Sequence, residues 1–195
     1  MESLPMSKDI LRQQYLQQRR QLDPSLRARL DEMAQTRLLA SNAYCDAKVI
    51  ALYSPARGEV DTALILAAAL RDGKKVVYPR VAGEQLVFVP VLTESDLSPG
   101  AFAINEPVGS DLVPVPAIDL MLLPGLAFSR DGHRLGSGKG FYDRTLGCNG
   151  RPGILAGLAY DFQLNATLPF EAHDVCLDLL VTDARVLAFA PLITP

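Results

Sequence analysis

Leu120-Met121-Leu122-Leu123 sets four apolar side chains in a row between Asp119 and the breaker Pro124-Gly125. A strand with one wet face alternates polar and apolar residues, so a short unbroken run bounded by turn signals reads as a strand buried on both faces. Such a strand belongs in a mostly parallel sheet with helices on either side. The surrounding segments follow the same pattern. Val49 to Tyr53 is a short apolar strand, Thr62 to Arg71 has helical period, Asp72-Gly73 breaks it and Lys75 to Pro79 is a strand again, which makes a βαβ unit. Gln85 to Val91, Ile154 to Leu158 and Leu177 to Val181 supply further strands. The fold expected is α/β: a single-domain layered sandwich with a mostly parallel central sheet, spanning residues 1–195.

Two helices precede this unit. Ser7 can cap a helix running to about Leu22, with Leu11, Tyr15 and Leu22 on an apolar face and Lys8 and Arg12 on a polar one. Asp23-Pro24 starts a second helix to about Ala43, with Leu26, Leu30, Met33 and Leu38 predicted inward. An N-terminal helical hairpin is therefore expected. Thr93 to Pro116, rich in Pro, Gly, Ser and acidic residues, reads as a long surface connection that could serve as a lid.

Composition excludes several function classes. The longest apolar run, Ile118 to Phe128, is interrupted by Asp119 and Pro124-Gly125 and falls short of the ~20 residues of a membrane span. Charged residues stand where a secretory signal would need an apolar core, so a cytoplasmic location is expected. A net charge of -3 argues against a general nucleic-acid binder and leaves room for a local basic site for a small anion. Cys45, Cys148 and Cys176 are too few and too widely spaced for a disulfide framework or zinc site, and are expected as buried free thiols. His133 and His173 are far apart and read as surface or satisfied core residues.

The stretch most informative about chemistry runs from Gly132 through Gly136-Ser137-Gly138-Lys139-Gly140 to Phe141-Tyr142-Asp143-Arg144, between a buried strand and a helix. Glycines at alternate positions clear one patch of backbone, whose amides can converge on phosphate oxygens ahead of a helix N-terminus. Arg134 and Lys139 add full positive charge, and Asp143 adds a carboxylate suited to a phosphate-bound Mg²⁺. The spacing fits neither the Walker loop, since His133 and Gly140 occupy its key positions, nor the dinucleotide fingerprint. A flexible glycine-rich turn is the plainer alternative.

Arg134-Leu135-Gly136-x-Gly138-x-Gly140-Phe141-Tyr142-Asp143-Arg144 resembles the signature of the 5-formyltetrahydrofolate cyclo-ligase family. Lys8-x-x-x-Arg12, Tyr53-Ser54-Pro55, Gly58-Glu59-Val60-Asp61-Thr62, Tyr78-Pro79, Pro124-Gly125-Leu126-Ala127-Phe128 and His173-Asp174 carry the resemblance over almost the whole chain. It implies Mg-ATP-dependent closure of 5-formyltetrahydrofolate to 5,10-methenyltetrahydrofolate through phosphorylation of the formyl oxygen, with release of ADP and phosphate, by a monomer. It further implies that Lys8, Arg12 and the segment Arg134, Leu135, Gly136, Ser137, Gly138, Lys139, Gly140, Phe141 and Tyr142 bind ATP. Ser54, Glu59 and the stretch Ser137 to Phe141 would touch the folate. Asp143 and Asp174 would hold Mg²⁺, and Arg134, Lys139 and Tyr142 would act on the reacting groups.

The residues themselves leave several of these roles open. Lys8 and Arg12 also suit a solvated cationic face, Asp174 an ordinary turn, and Asp61 the cap of the helix beginning near Thr62. Tyr53, Phe88 and Tyr142 suit either core packing or the walls of a pterin pocket. Phe141 stands where a second tyrosine would offer a hydroxyl, which excludes a hydroxyl role there. Two rival readings are a non-catalytic folate-binding module, and a sugar-phosphate isomerase or CoA-transferase-like enzyme of similar architecture.

Overall fold

The computed structural model describes residues 7–171 and 173–189; residues 1–6 of the charged N-terminus lie outside it. The chain opens with α1 (Lys8–Gln21), α2 (Pro24–Leu39) and α3 (Asn42–Asp46), then β1 (Val49–Ala51), α4 (Ala63–Arg71), β2 (Lys75–Ala82) and β3 (Gln85–Pro90). A middle section holds β4 (Leu97–Pro99), β5 (Asn105–Pro107), β6 (Leu120–Leu123), β7 (Ala127–Ser129) and β8 (Arg134–Leu135). The last elements are α5 (Phe141–Asn149), β9 (Ile154–Ala159), β10 (Leu164–Asn165), β11 (Leu179–Thr182) and β12 (Val186–Ala188).

The main sheet has seven strands in the order β12-β11-β9-β6-β1-β2-β3. Its five central strands run parallel, and an antiparallel strand closes each edge. The run Leu120–Leu123 is at its centre with every side chain buried. Leu120 and Leu122 point into one core with Ile50, Leu52 and Val76, while Met121 and Leu123 point into a second with Ala51 and Val77. The two-residue period of a strand thus feeds two hydrophobic layers, and each such leucine contributes roughly 1.5–3 kcal/mol on burial.

Helices α2 and α4 cover the first face, and α5 covers the second with the loop through Val113 and Val115. The expected helical hairpin is not a pair packed along its length. Helix α2 lies against α4 and β11, while α1 lies on β7, with Leu11 and Tyr15 in a separate small core with Leu126, Ala127 and Leu135. Along α2 the inward residues are Ala34, Gln35 and Leu38; Leu26 and Met33 are exposed. Gln35 is inward for a reason: its Oε1 accepts from Leu64 N at 3.0 Å and Ile65 N at 3.4 Å, and so caps α4 from a neighbouring helix. Asp61 shares that work by accepting from Thr62 N and Ala63 N.

Two further expectations are corrected. The thiols are free, but Cys45 and Cys148 are exposed and Cys176 is half-buried, because each sits outside the two main cores. Within the long connection Thr93 to Pro116, β4 and β5 pair as a small antiparallel flap. Its tip, Phe102 and Ala103, takes positive φ values of 58° and 57°.

Candidate active site

In the main sheet β1 leads through α4 to β2 on one side, and the chain later returns to β6 on the other side of β1. The crevice between the carboxyl ends of β1 and β6 is therefore the switch point, where α/β sheets place their ligands. A cavity of about 530 Å³ opens there.

The loop after β1 forms one wall. Tyr53 is buried, and its hydroxyl donates to Val60 O at 2.8 Å. Arg57 and Gly58 take φ of 52° and 74°, which turns the chain so that Ala56 N donates to Glu59 Oε2 at 3.0 Å. Ser54, Arg57 and Glu59 line the cavity. From the loop after β6, Pro124 and Gly125 line it too. A Cβ at Gly125 would meet the Phe128 ring at 2.6 Å and Arg134 Cγ at 3.0 Å, so the cavity floor requires glycine there.

The glycine-rich loop forms the opposite wall and threads between three guanidinium groups. A Cβ at Gly136 would lie 2.8 Å from Arg134 Nη1, one at Gly138 3.4 Å from Arg12 Cζ, and one at Gly140 2.7 Å from Arg144 Nη1. Arg12 Nε donates to Gly136 O at 3.1 Å, and Arg144 Nη2 to Lys139 O at 2.8 Å. Gly138 and Gly140 hold φ of 90° and 66°, and Gly140 leads directly into α5. Bare backbone lets cations and a helix N-terminus converge on one space, an arrangement that favours anions. Ser137 and Lys139 are exposed along its rim, while Leu135 anchors its start in the small core beneath α1. Lys139 Nζ lies 4.9 Å from the centre of the Phe102 ring, and that ring is 5.8 Å from Phe141, so the flap tip touches the loop.

Two carboxylates join this wall. Arg134 Nη2 donates to Asp143 Oδ1 at 3.1 Å, and Val175 N donates to the same oxygen at 3.2 Å. Asp174, one residue along, accepts from Lys8 Nζ at 2.9 Å and from Glu171 N at 2.8 Å. Asp143 and Asp174, distant in sequence, thus face the same cavity. Burial pushes the Asp174 carboxyl up, but Lys8 and the Glu171 amide outweigh it and hold the group below the usual carboxylate range. A pair of carboxylate oxygen donors suits a hard cation that completes its shell with phosphate oxygens and water. Among the described residues no cluster of three metal-binding side chains exists.

Burial also shapes two further titratable groups of the cavity. It raises the Glu59 carboxyl against the opposing pull of Arg19, the Ala56 amide and Arg57. It pushes the Tyr142 phenol up, against Arg134, whose guanidinium lies 5.8 Å from that ring centre; Tyr142 is held protonated.

The cavity collects every residue that the sequence singled out as a site candidate: Lys8 and Arg12 from α1, Ser54 and Glu59, the whole run Arg134 to Asp143, and Asp174. Phe88 is the exception among the possible aromatic walls, since it is buried in the second core behind β3. His133 is a satisfied core residue, stacked on Phe170 at 3.8 Å, while His173 is exposed at the cavity mouth. Sequence reading missed Phe102, Ile104 and Glu106 of the flap and Arg57 of the β1 loop. It also missed Arg19, although Lys8, Arg12, Tyr15 and Arg19 stand at i, i+4, i+7 and i+11 and so share one face of α1.

A parallel sheet, a switch-point cavity and a loop arranged for anions together define an α/β protein with a ligand site at the carboxyl ends of its strands. The more particular assignment comes from relatives: residues 5–183 match the model of the 5-formyltetrahydrofolate cyclo-ligase family, and the chain belongs to that family. The 5-formyltetrahydrofolate cyclo-ligase of Escherichia coli K12 is 33% identical over 180 residues, covering 87% of this chain and 97% of the relative. The solved 5,10-methenyltetrahydrofolate synthetase of Aquifex aeolicus superposes with a TM-score of 0.86 at 35% identity, covering 97% of this chain and 96% of the other. The 5,10-methenyltetrahydrofolate synthetase of Mycoplasma pneumoniae gives 0.75 at 30% identity, covering 91% and 99% respectively. The chain is accordingly a ligase of folate one-carbon metabolism. No helix among the described residues is long and apolar enough to cross a membrane.

Proposed function

We propose that the chain, as a cytoplasmic monomer, closes 5-formyltetrahydrofolate to 5,10-methenyltetrahydrofolate at the expense of ATP. The observation that carries this reading is the meeting of two unlike half-sites in one cavity: a glycine loop ringed by Arg12, Arg134 and Arg144, and a half-buried carboxylate, Glu59, across from it. Mg-ATP would supply the phosphoryl group that turns the formyl oxygen into a leaving group. Lys8, Arg12, Arg134 and Lys139 would neutralise the triphosphate, with the amides from Gly136 to Gly140 sharing the charge. Asp143 and Asp174 would hold Mg²⁺, releasing Arg134 and Lys8 toward phosphate.

Glu59 would accept hydrogen bonds from the adjacent ring and exocyclic N–H groups of the pterin. Ser54 and the run Ser137 to Phe141 would line the path of the folate, and Tyr142, held protonated, would donate to a reacting oxygen. A mere folate-binding module would have no use for two carboxylates poised beside a phosphate loop.

The test is the near-ultraviolet absorbance of methenyltetrahydrofolate formed from 5-formyltetrahydrofolate with and without Mg-ATP. Product that requires ATP is expected. Folate binding with no product under any nucleotide condition would replace this reading with the binding module.

A further inference from the structure

Arg19 is the largest of the fully buried side chains, at 1% exposure. It stands in the last turn of α1, behind the wall that carries Glu59. Its Nη1 lies 3.9 Å from Glu59 Oε1 and donates to Gly125 O at 3.5 Å, while its Nε has no partner among the described residues. Removing a guanidinium from water costs several kcal/mol, and one long ion pair with one long hydrogen bond offsets little of that. A methionine would fill the same space without the desolvation cost, so stability alone does not account for a cation here.

What Arg19 touches gives the reason. Glu59 belongs to the loop after β1 and Gly125 to the loop after β6, the two banks of the switch-point crevice. We propose that Arg19 is a positioning residue that keeps Glu59 as a carboxylate aimed at the substrate's ring N–H groups and ties Gly125 beside it at a fixed width. The inference rests on the reading of Glu59 as the folate-binding carboxylate.

The geometry fits that task. Glu59 Oε2 is already occupied by the Ala56 amide, whereas Oε1 accepts no hydrogen bond among the described residues. A separation of 3.9 Å is too long for a hydrogen bond yet close enough for strong Coulomb attraction in a dry wall. Oε1 is thus free to accept from a ligand while Arg19 sits beside it. The other groups facing this carboxylate are Arg57 of its own loop and the phenols of Tyr53 and Tyr142, both held neutral by burial; Tyr160 faces Arg19. Arg19 is the foremost influence opposing the upward push of burial on Glu59. Folate binding through the carboxylate is present above the Glu59 pKa and lost as pH falls through it. Without Arg19 that loss moves to higher pH.

The experiment is a double-mutant cycle between Arg19→Met and Glu59→Gln, read as KM for 5-formyltetrahydrofolate, KM for ATP and the pH at which folate KM rises. Arg19→Met is expected to raise folate KM at least tenfold, move the acidic limb up by about one pH unit and leave ATP KM within twofold. In the Glu59→Gln background the same change should raise folate KM less than threefold. Full additivity, or equal loss for both substrates, overturns the positioning role while leaving the proposed function intact. Glu59→Gln without effect on folate KM overturns both. Should Arg19→Met not fold, Arg19→Lys carries the test: it keeps the cation, so the acidic limb should stay in place while folate KM rises two- to fivefold, and an unchanged KM overturns the proposal.

Discussion

The wall built by the loops after β1 and β6 is packed from behind, while the wall opposite is held by ion pairs. Tyr53, Glu59 and Gly125 rest on buried side chains and on Arg19, with backbone turns fixed by positive φ at Arg57 and Gly58. Across the cavity the cations are satisfied by nearby acids: Lys8 by Glu171 and Asp174, Arg12 by Asp9, Arg134 by Asp143. The pairs of Lys8 and Arg12 are partly exposed, and such pairs contribute about 0–1 kcal/mol each, are screened by salt and exchange partners at little cost, whereas Arg134 is set deeper beside Asp143. A packed wall suits a flat ring of fixed shape. An ion-paired wall suits a flexible triphosphate, whose oxygens and metal can take over the contacts that the side chains now make with one another.

The predictions separate these two walls, beginning with the largest effect. Arg134→Ala removes the cation joining Asp143 to the glycine loop and should lower kcat roughly 100-fold or more, as loss of a transition-state charge partner does. Steady-state rates with both substrates saturating check it, and a loss confined to folate KM would break the division of labour. Asp143→Ala should lower turnover at least about tenfold with the fold retained, judged by circular dichroism and rate together. Gly138→Ala forces a side chain into φ of 90° with its Cβ 3.4 Å from Arg12, and should raise ATP KM about fivefold with little change for folate. Phe102→Ala, at the half-exposed flap tip, should raise either KM only a few-fold and leave the melting temperature within about 2 °C. Raising ionic strength should weaken ATP binding more than folate binding under the proposed assignment, because the glycine-loop wall carries more partly exposed charge.

The packed half was legible in the sequence to a different degree from the ionic half. An unbroken Leu120–Leu123 run and the βαβ spacing lead to the parallel sheet because burial on two faces leaves no other consistent pattern. The placement of the glycine loop ahead of a helix was equally plain, and α5 begins at Phe141 directly after Gly140. What the sequence did not carry is how remote segments meet. Asp143 and Asp174 come together because Val175 N donates to Asp143, a contact no local pattern announces. The inward turn of Gln35 was hidden because a polar residue on a helix reads as outward, whereas here it caps α4. Phe102 lay in a stretch read as a surface connection that could serve as a lid, and its left-handed backbone at the cavity rim follows from the β4–β5 pairing rather than from composition.

The account turns on which wall meets which ligand, and two-dimensional amide NMR of the ¹⁵N-labelled protein measures that directly. Titration with a non-hydrolysable Mg-ATP analogue should shift the amides of Gly136 to Gly140 and of Val175, while 5-formyltetrahydrofolate should shift those of Ala56 to Glu59 and Gly125. Nucleotide-induced shifts centred on the β1 loop, with the glycine loop unmoved, would contradict the assignment of the two walls.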